Sequence, residues 1–404
     1  MSIGIISRLS SSEARASYYY GSMFLAVGVA VPFLPLWLRH KGFSDADIGI
    51  LNAIPIWTMV MINIFVGRLA DKASDWRSVI LVCSLIAAVA PFFLFLTSDV
   101  WPIIAIWTLC VLPVMALSPI IDAATVRMTR RRGSEFALIR VWGTVGYVAA
   151  NLIGGWYLGW AGIALFLPLF VGLSFLRGVV AFQLPAFRAT APEDAKIKEE
   201  AKNAPPPHRL QAQEFKHMFR PWFILAIVGS ALITASHGPL YTFGSLLWDQ
   251  QGIGKEVIGP LWAIGSAAEV VVFLAFARIA RRFSARHLML FAAGMTCLRW
   301  YGMTLELPVY GYFVLQMLHA FSFGVTYLGT LNFVANWTAE KFAAEAQSSV
   351  QVLGQGLLAT TVFGFGFVFA QFGANAFGLS VAIAGIGGLC VMGSLILINP
   401  RSEA

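Results

Sequence analysis

The residues of this sequence that could do chemistry within apolar surroundings are a few ionisable side chains. The stretch GSAAEVVVF places Glu269 in an apolar run from 257 to 277, and CLRWYGM places Arg299 in another. A charge is costly in hydrocarbon and usually faces a partner or a watery cavity. The other ionisable residues in such runs are Asp122, Arg140, Arg177, His237, Glu306 and His319.

Glu269, Arg299 and His319 are of the types needed to exchange a proton. Burial favours the neutral form of a carboxylate, while a nearby guanidinium favours the charged form. Glu269 can therefore gain or lose a proton as its distance from Arg299 changes. An unperturbed histidine titrates near neutral pH, which makes His319 a second candidate carrier. The simpler alternative is a fixed salt bridge between Glu269 and Arg299 that only holds two helices together.

These residues must be positioned by membrane-spanning helices. Of 404 residues 58% are hydrophobic and 12% are charged, which is too apolar for a water-soluble domain. Runs of about 20 apolar residues cross a bilayer as helices, whereas barrel strands would show short alternating stretches. The sequence predicts an all-α integral membrane protein with twelve spans, at 17–38, 47–69, 78–97, 101–125, 140–160, 163–184, 221–246, 256–279, 287–306, 308–335, 346–371 and 375–398.

The distribution of Lys and Arg predicts the orientation of these spans. Outer loops hold only Arg39, Lys41 and Lys255, whereas inner loops hold basic clusters around 127–132 and 281–286. Cytoplasmic loops carry the positive excess, so both termini are expected in the cytoplasm of a multi-pass protein of the inner (plasma) membrane. The net charge of +8 then reflects topology and contact with lipid headgroups, and no nucleic-acid partner is expected.

A charged, proline-containing segment divides the chain six spans plus six. We expect an N-terminal six-helix bundle at 1–185, a cytoplasmic linker at 186–219 and a C-terminal six-helix bundle at 220–404. The composition of the linker cannot build a core.

An internal repeat supports this division. IGILNAI at 48–54 aligns with IGPLWAI at 258–264, and GRLADK at 67–72 aligns with ARIARR at 277–282, both with an offset of 210 residues. Duplicated halves predict two pseudo-symmetric bundles that expose a central site alternately to either side.

Helix geometry places the three proton-exchanging candidates in one layer. At 1.5 Å per residue Glu269 lies about 18 Å from the outer end of span eight, and Arg299 about 18 Å from the inner end of span nine. Since these spans are antiparallel, the depths differ by only about 6 Å. His319 lies at a similar depth, about 16 Å from the outer end of span ten. A salt bridge or a shared cavity is therefore permitted.

The N-terminal half offers a second pair. Asp122 lies near the inner end of span four and Arg140 at the start of span five, so these antiparallel neighbours can pair. Because inner helix ends commonly carry charge, simple anchoring is the alternative. Arg177 and Glu306 lie within about two turns of their span ends and are expected to snorkel to the interface.

The twelve spans in two halves, with GRLADKASDWR between spans two and three, resemble the major facilitator superfamily over essentially the whole chain. The family's signature here is a glycine, an aspartate four residues on, and basic residues. The resemblance implies a cytoplasmic gating loop, with an ordinary solvated loop as the alternative, and the matching residues are Gly67, Asp71, Lys72 and Arg77. Asp75 and Trp76 depart from the pattern.

Two groups within the superfamily show further likeness. The lactose permease type has ionisable residues where this chain has Asp122, Arg140, Glu269, Arg299 and His319. That type has a glutamate one turn after the histidine, where this chain has Ser322. IRVWGTVGY, GSAAEVVVF, SARHLML, CLRWYGM and QMLHAFSFG more closely resemble the phenylpropionate permease group, and the matched positions are Arg140, Trp142, Gly143, Glu269, Arg299, Trp300 and His319.

This second resemblance implies uptake of an aromatic carboxylate with a proton. An arginine would bind the carboxylate and aromatic residues would form the walls. The Gly-Pro interruption beside His237 can bend span seven next to a cavity. The substrate-binding candidates are Asp122, Arg140, Trp142, His237, Tyr241 and Trp300, while Glu269, Arg299 and His319 are assigned to proton coupling.

Other transported compounds stay open at this point. Sugar or nucleoside proton symport and export of a drug-like compound are the alternatives. Buried amides could serve a polyhydroxyl substrate or bond helix to helix; they are Asn52, Asn63, Asn151, Asn332, Gln316, Gln351 and Gln355. Sodium coupling is also not excluded.

Enzymatic function is not expected, because the chain contains no HExxH, no GxSxG and no phosphate-binding P-loop motif. Its four cysteines are dispersed singly, so no metal site is suggested and no cofactor is expected. Energy would come from an ion or solute gradient, and one chain is sufficient for a monomeric carrier.

Overall fold

The regular secondary structure is all helical over the residues described by the computed structural model, which are 11–188, 220–338 and 340–398. Side chains are described throughout these ranges except at 64, 66–71, 277 and 340–345. Most of the predicted linker, from 189 to 219, lies outside the described residues.

The helices follow the predicted order, and several spans contain a break. Spans one to six are Ser12–His40, Asp45–Lys72, Trp76–Val89 with the 3₁₀ turn Ala90–Phe95, Val100–Arg132, Phe136–Ala161, and Phe166–Ala181 preceded by the 3₁₀ turn Ile163–Leu165. Spans seven to twelve are Pro221–Ala235 with Gly238–Gln250, Lys255–Ala280, Ala285–Met303, Val309–Met317 with the π-helix Ala320–Gly324 and Val325–Trp337, Glu340–Phe372, and Phe377–Leu397 after the 3₁₀ turn Gly373–Ala376.

Length and composition agree with a membrane protein. Among the described residues ten segments are long and apolar enough to cross a bilayer, and one of them, Ala346–Leu397, contains two consecutive helices. The helix Ala285–Met303 carries Arg286 and Arg299 and is not among the ten. The predicted all-helical membrane fold is confirmed.

Several spans are longer than hydropathy predicted, because capping rather than hydropathy ends a helix. Span one begins five residues early, where the Ser11 side chain accepts a hydrogen bond from the amide of Ala14. Span four continues through its basic cluster to Arg132 and ends at Gly133, whose φ of +66° suits glycine. Basic residues in a last turn are favoured by the helix dipole.

The connection between spans two and three is shorter than predicted, and its role as a gating loop stays a prediction. Gly67, Asp71 and Lys72 belong to the last turns of span two, and Arg77 lies in the first turn of span three, so only residues 73–75 connect them. The side chain of Asp71 lies outside the described part. Among the described side chains, the acid that makes contacts here is Asp75, one of the two departures from the family pattern.

Asp75 caps span three and anchors the chain after span six. Its carboxylate accepts hydrogen bonds from the backbone amides of Arg77 at 2.7 Å, of Phe187 at 3.1 Å and of Arg188 at 2.9 Å. Arg77 donates from Nη2 to the carbonyl of Phe182 at 2.9 Å. The contacts of this connection therefore join spans three and six within one half.

Proline accounts for the break in span seven. Pro239 has no amide hydrogen for the carbonyl four residues earlier, that of Ala235, where the first helix ends. His237 lies at this break, so the predicted interruption beside it is confirmed.

The two predicted halves meet mainly on the side away from the chain termini, which we call the far side. The largest apolar cluster contains Trp37 and Phe43 of one half with Trp248 and Ile253 of the other. Towards the termini, by contrast, separate clusters lie within residues 16–187 and within the second half.

Glycines allow the closest approach on the far side. A Cβ atom on Gly259 of span eight would lie 2.1 Å from the carbonyl oxygen of Asn151 in span five. A Cβ on Gly366 of span eleven would lie 2.7 Å from the carbonyl oxygen of Asp45 in span two. Two backbone-to-backbone contacts thus hold the far side closed.

Candidate functional site

Arg299 is the centre of a buried polar cluster in the second half. Its side chain is only 1% exposed. Nη2 donates to Oε1 of Gln316 at 2.5 Å, while Nη1 lies 3.0 Å from Nδ1 of His319 and 3.3 Å from Oγ of Ser322. Gln316 also donates from Nε2 to the carbonyl of Leu261 at 3.2 Å. The cluster therefore joins spans eight, nine and ten.

His237 extends this cluster to span seven. Its Nδ1 lies 3.0 Å from the carbonyl of Ile233 and its Nε2 lies 3.1 Å from Oγ of Ser322. A carbonyl only accepts hydrogen bonds, so Nδ1 carries the hydrogen and Nε2 of the neutral ring accepts from Ser322. The guanidinium of Arg299 only donates, so Nδ1 of His319 accepts. Both rings are held in defined tautomers.

Span ten contains a π-helical turn next to the cluster. It covers Ala320–Gly324, directly after His319. His319 and Ser322 are three positions apart and both contact Arg299. Single π-helical turns inside longer helices occur frequently at functional sites.

Glu269 lies beside this turn and is half-buried. Its Cγ atom would be 3.4 Å from a Cβ added to Gly324, so the side chain packs along the π-helical turn. Its carboxylate makes no hydrogen bond or ion pair with any described residue, and it is not within 4.0 Å of Arg299. The structure therefore contains no direct salt bridge between the two.

Trp300 and Trp142 have different surroundings. Trp300 is fully buried, donates from Nε1 to Oγ of Ser236 at 2.9 Å, and packs edge-on against His237 with 4.9 Å between ring centroids. Trp142 is 51% exposed and takes no part in the cluster. Trp300 thus packs against the cluster through the ring of His237.

Asp122 and Arg140 form an ion pair in the first half. Nε of Arg140 lies 3.6 Å from Oδ1 of Asp122, which also accepts a hydrogen bond from the Tyr20 hydroxyl at 2.6 Å. The guanidinium lies over the ring of Phe24, 4.6 Å from its centroid. Both charged side chains are about one third exposed, so the pair borders a solvent-accessible space.

An apolar cavity of about 210 Å³ lies between spans one, two, four, six, seven and eleven. Its polar lining residues are Asn52, Arg177, Tyr241 and Thr242, and its walls include Trp107 and Phe170. Tyr241 also approaches His319, with 6.4 Å between ring centroids, so the cavity adjoins the cluster. Of the predicted substrate-binding residues, Tyr241 is the one that lines this cavity.

Arg177 does not snorkel, contrary to expectation. It is 2% exposed and donates from Nη2 to the carbonyl of Ala87 in span three at 2.7 Å. In an unbroken helix that carbonyl would accept from residue 91, but Pro91 has no amide hydrogen. Glu306, by contrast, is exposed in the connection after span nine.

Comparison with known proteins identifies the scaffold that carries this site. The family model described as the MFS_1 like family matches residues 14–379. The chain belongs to the MFS_1 like family. It is therefore a secondary transporter of the major facilitator type, a multi-pass membrane protein and not an enzyme.

Relatives of this MFS_1 like chain transport small molecules. It is 25% identical over 371 residues to the probable 3-phenylpropionic acid transporter of Escherichia coli, covering 90% of this chain and 93% of that one. It is 24% identical over 389 residues to the maltose permease of Geobacillus stearothermophilus, covering 95% and 94%. The crystal structure of the nucleoside transporter NupG has a TM-score of 0.77 at 14% identity, covering 96% of this chain and 99% of that one.

Three residues that organise the polar cluster and the adjoining cavity were not among the predicted site residues. Gln316 and Ser322 lie three positions before and after His319, a spacing that places side chains on one helix face, so the helical period could have indicated them. Arg177 could be found only from the structure, because its distance from the span end favoured snorkelling.

Proposed function

We propose that this transporter takes up an aromatic carboxylate such as phenylpropionate together with a proton. The observation that carries the proposal is the carboxylate of Glu269, which lies at mid-span without a hydrogen bond or ion pair to a described residue. It borders the Arg299 cluster, whose charge can stabilise the deprotonated form when the two approach.

Glu269 is better placed than His319 to carry the proton in this state. Nδ1 of His319 accepts a hydrogen bond from Arg299 at 3.0 Å. Protonation there would remove the acceptor and set two cations against each other. The Glu269 carboxylate has no such conflict. Movement of span eight relative to span nine would change its distance from Arg299 and so release or bind the proton.

The proposed direction follows from the proposed coupling, because symport with protons follows the inward-directed proton gradient. With both termini in the cytoplasm, as proposed, the far side would face outward and this state would be closed to the outside. Substrate and proton would be released to the cytoplasm from it. An inward-directed proton gradient would then drive accumulation.

The aromatic substrate is supported by the apolar cavity, by its wall residues Trp107, Phe170 and Tyr241, and by similarity to the probable 3-phenylpropionic acid transporter. A nucleoside or a sugar is the second candidate. The chain is 26% identical over 352 residues to the putative nucleoside transporter YegT of Escherichia coli, covering 83% of this chain and 77% of that one. Asn52 offers an amide in the same cavity.

The test is uptake of radiolabelled phenylpropionate, maltose and uridine into proteoliposomes, with and without an inward-directed proton gradient. We expect accumulation of phenylpropionate alone, abolished by a protonophore. Accumulation of uridine or maltose instead would overturn the assigned substrate.

Substitution of Glu269 by Gln tests proton coupling. Gln cannot exchange a proton, so Glu269→Gln should abolish gradient-driven accumulation and retain exchange of preloaded substrate. Glu306→Gln is the matched control, since Glu306 is exposed outside the cluster. Undiminished accumulation by Glu269→Gln would show that another group carries the proton.

A further inference from the structure

Arg177 is a buried cation that the proposed proton site does not use. Its Nε atom is buried without a hydrogen-bond partner. None of the ion pairs between described residues includes Arg177. A buried charge without a counter-charge is costly, so its presence calls for an anion in at least one state of the transport cycle.

Local structure explains one hydrogen bond of Arg177 and leaves its charge unexplained. The bond from Nη2 to the Ala87 carbonyl replaces the one that Pro91 cannot make. A neutral amide side chain also has an N–H group that could donate such a bond. The bond between span six and span three therefore requires a donor but not a full positive charge.

The other two arginines of the predicted apolar runs are already engaged. Arg299 contacts Gln316, His319 and Ser322, and Arg140 is paired with Asp122. A substrate carboxylate at either would have to displace these partners. Arg177 lacks a carboxylate partner and lines the cavity of about 210 Å³.

The size and walls of this cavity suit an aromatic ring. An apolar cavity of about 150 Å³ binds one benzene molecule, so about 210 Å³ leaves room for a ring with a short side chain. The cavity is bordered by Trp107 and Phe170 on the Arg177 side and by Tyr241 of span seven. A ligand in it would contact both halves of the protein.

We propose that Arg177 binds the carboxylate of the transported acid while the aromatic part lies against Trp107, Phe170 and Tyr241 in this cavity. The inference rests on the proposed function for the substrate class. It transfers the anion-binding role from Arg140 or Arg299, to which the sequence pointed, to a residue in span six.

The experiment measures equilibrium binding of radiolabelled 3-phenylpropionate, and of its neutral amide, to the purified full-length protein in detergent. The variants are Arg177→Gln, which keeps a donor for Ala87 but removes the charge, and Arg177→Lys, which keeps the charge. Arg286→Gln is the matched control, because Arg286 is buried, donates to the carbonyl of Ser394 at 2.7 Å, and does not line the cavity.

We expect Arg177→Gln to raise the Kd of the acid at least about 30-fold, since it removes one partner of a buried charge pair. The Kd of the amide should change less than about threefold, and Arg177→Lys should weaken the acid far less than Gln does. Arg286→Gln should leave the Kd of both ligands unchanged.

Equal loss of acid and amide binding in Arg177→Gln, or no loss of either, would overturn the inference and leave the proposed substrate standing. Failure of the wild-type protein to bind the acid would overturn the proposed function as well. If Arg177→Gln does not fold, Ala30→Leu tests whether the ligand occupies this cavity, because Ala30 lines it. Filling the space should weaken both ligands at least about tenfold, and unchanged binding would reject the cavity as the site.

Discussion

At the scale of single residues, Ser322 satisfies two buried groups from neighbouring helices. Its hydroxyl donates to Nε2 of His237 and accepts from Nη1 of Arg299. A serine here, where the lactose permease type has a glutamate, leaves Arg299 without a carboxylate in its own cluster. Under the proposed function, proton exchange therefore falls to Glu269 in span eight.

Replacement of Ser322 by Ala should destabilise the protein, because it leaves His237 without one of its partners in a fully buried position. The expected loss in the free energy of unfolding is about 1–3 kcal/mol, measured by denaturant titration in detergent. Thr360→Ala is a suitable control, because the hydroxyl of Thr360 is exposed and bonds only to Gly356 of its own helix. Equal stability of the two variants would contradict the role of Ser322.

At the scale of elements, three spans are interrupted next to the cluster or the cavity. Pro91 ends the regular helix of span three, Pro239 divides span seven, and span ten contains a π-helical turn. Each break leaves backbone groups without their helical hydrogen bonds or changes the direction of side chains. Polar side chains can then form hydrogen bonds with the freed backbone groups. The bond from Arg177 to Ala87 is the clearest example.

A double-mutant cycle between Pro91→Ala and Arg177→Met tests that example. In the Pro91→Ala background the new amide hydrogen can satisfy the Ala87 carbonyl, so loss of the arginine should leave no unpaired acceptor. We expect Arg177→Met to cost about 1–3 kcal/mol less in this background than in the wild type, measured as unfolding free energy. Additive effects of the two substitutions would show that the proline and the arginine are not coupled.

At the scale of the whole molecule, the far side is closed by backbone contacts that only glycine permits. The Cβ of an alanine in place of Gly259 would fall 2.1 Å from the Asn151 oxygen, so spans five and eight would have to separate. Overpacking of this kind costs about 1–3 kcal/mol, and only the far-side-closed state bears that cost.

Gly259→Ala should therefore favour opening of the far side. The measurement uses a cysteine placed at Ile48, which is fully buried in the large apolar cluster of the far side. This cysteine is labelled with a membrane-impermeant maleimide in a chain whose native cysteines are replaced by serine. Labelling should increase with Gly259→Ala and not with Gly172→Ala, since nothing lies within 4 Å of a Cβ at Gly172. Equal labelling in both variants would argue against a glycine-dependent closure.

The order of the helices and the layer of charged residues could be predicted from the sequence. Long apolar runs identify membrane spans because hydrocarbon excludes unpaired backbone groups. A rise of 1.5 Å per residue then places Glu269, Arg299 and His319 at similar depths. Helix ends were predicted less well, since capping residues such as Ser11 and Gly133 determine them independently of hydropathy.

Depth along a helix is encoded locally, but the direction and partners of a side chain depend on neighbouring helices. Arg177 has the same short distance to its span end whether it snorkels or turns inward, and only the carbonyl left free by Pro91 and the adjoining cavity bring it inward. Arg299 likewise bonds to Gln316 and Ser322 of span ten and not to Glu269, a choice of partner that its depth along span nine does not encode. Composition and periodicity thus specify a helical membrane protein with a charged middle layer, while packing between helices selects which of those charges face each other and which face the cavity.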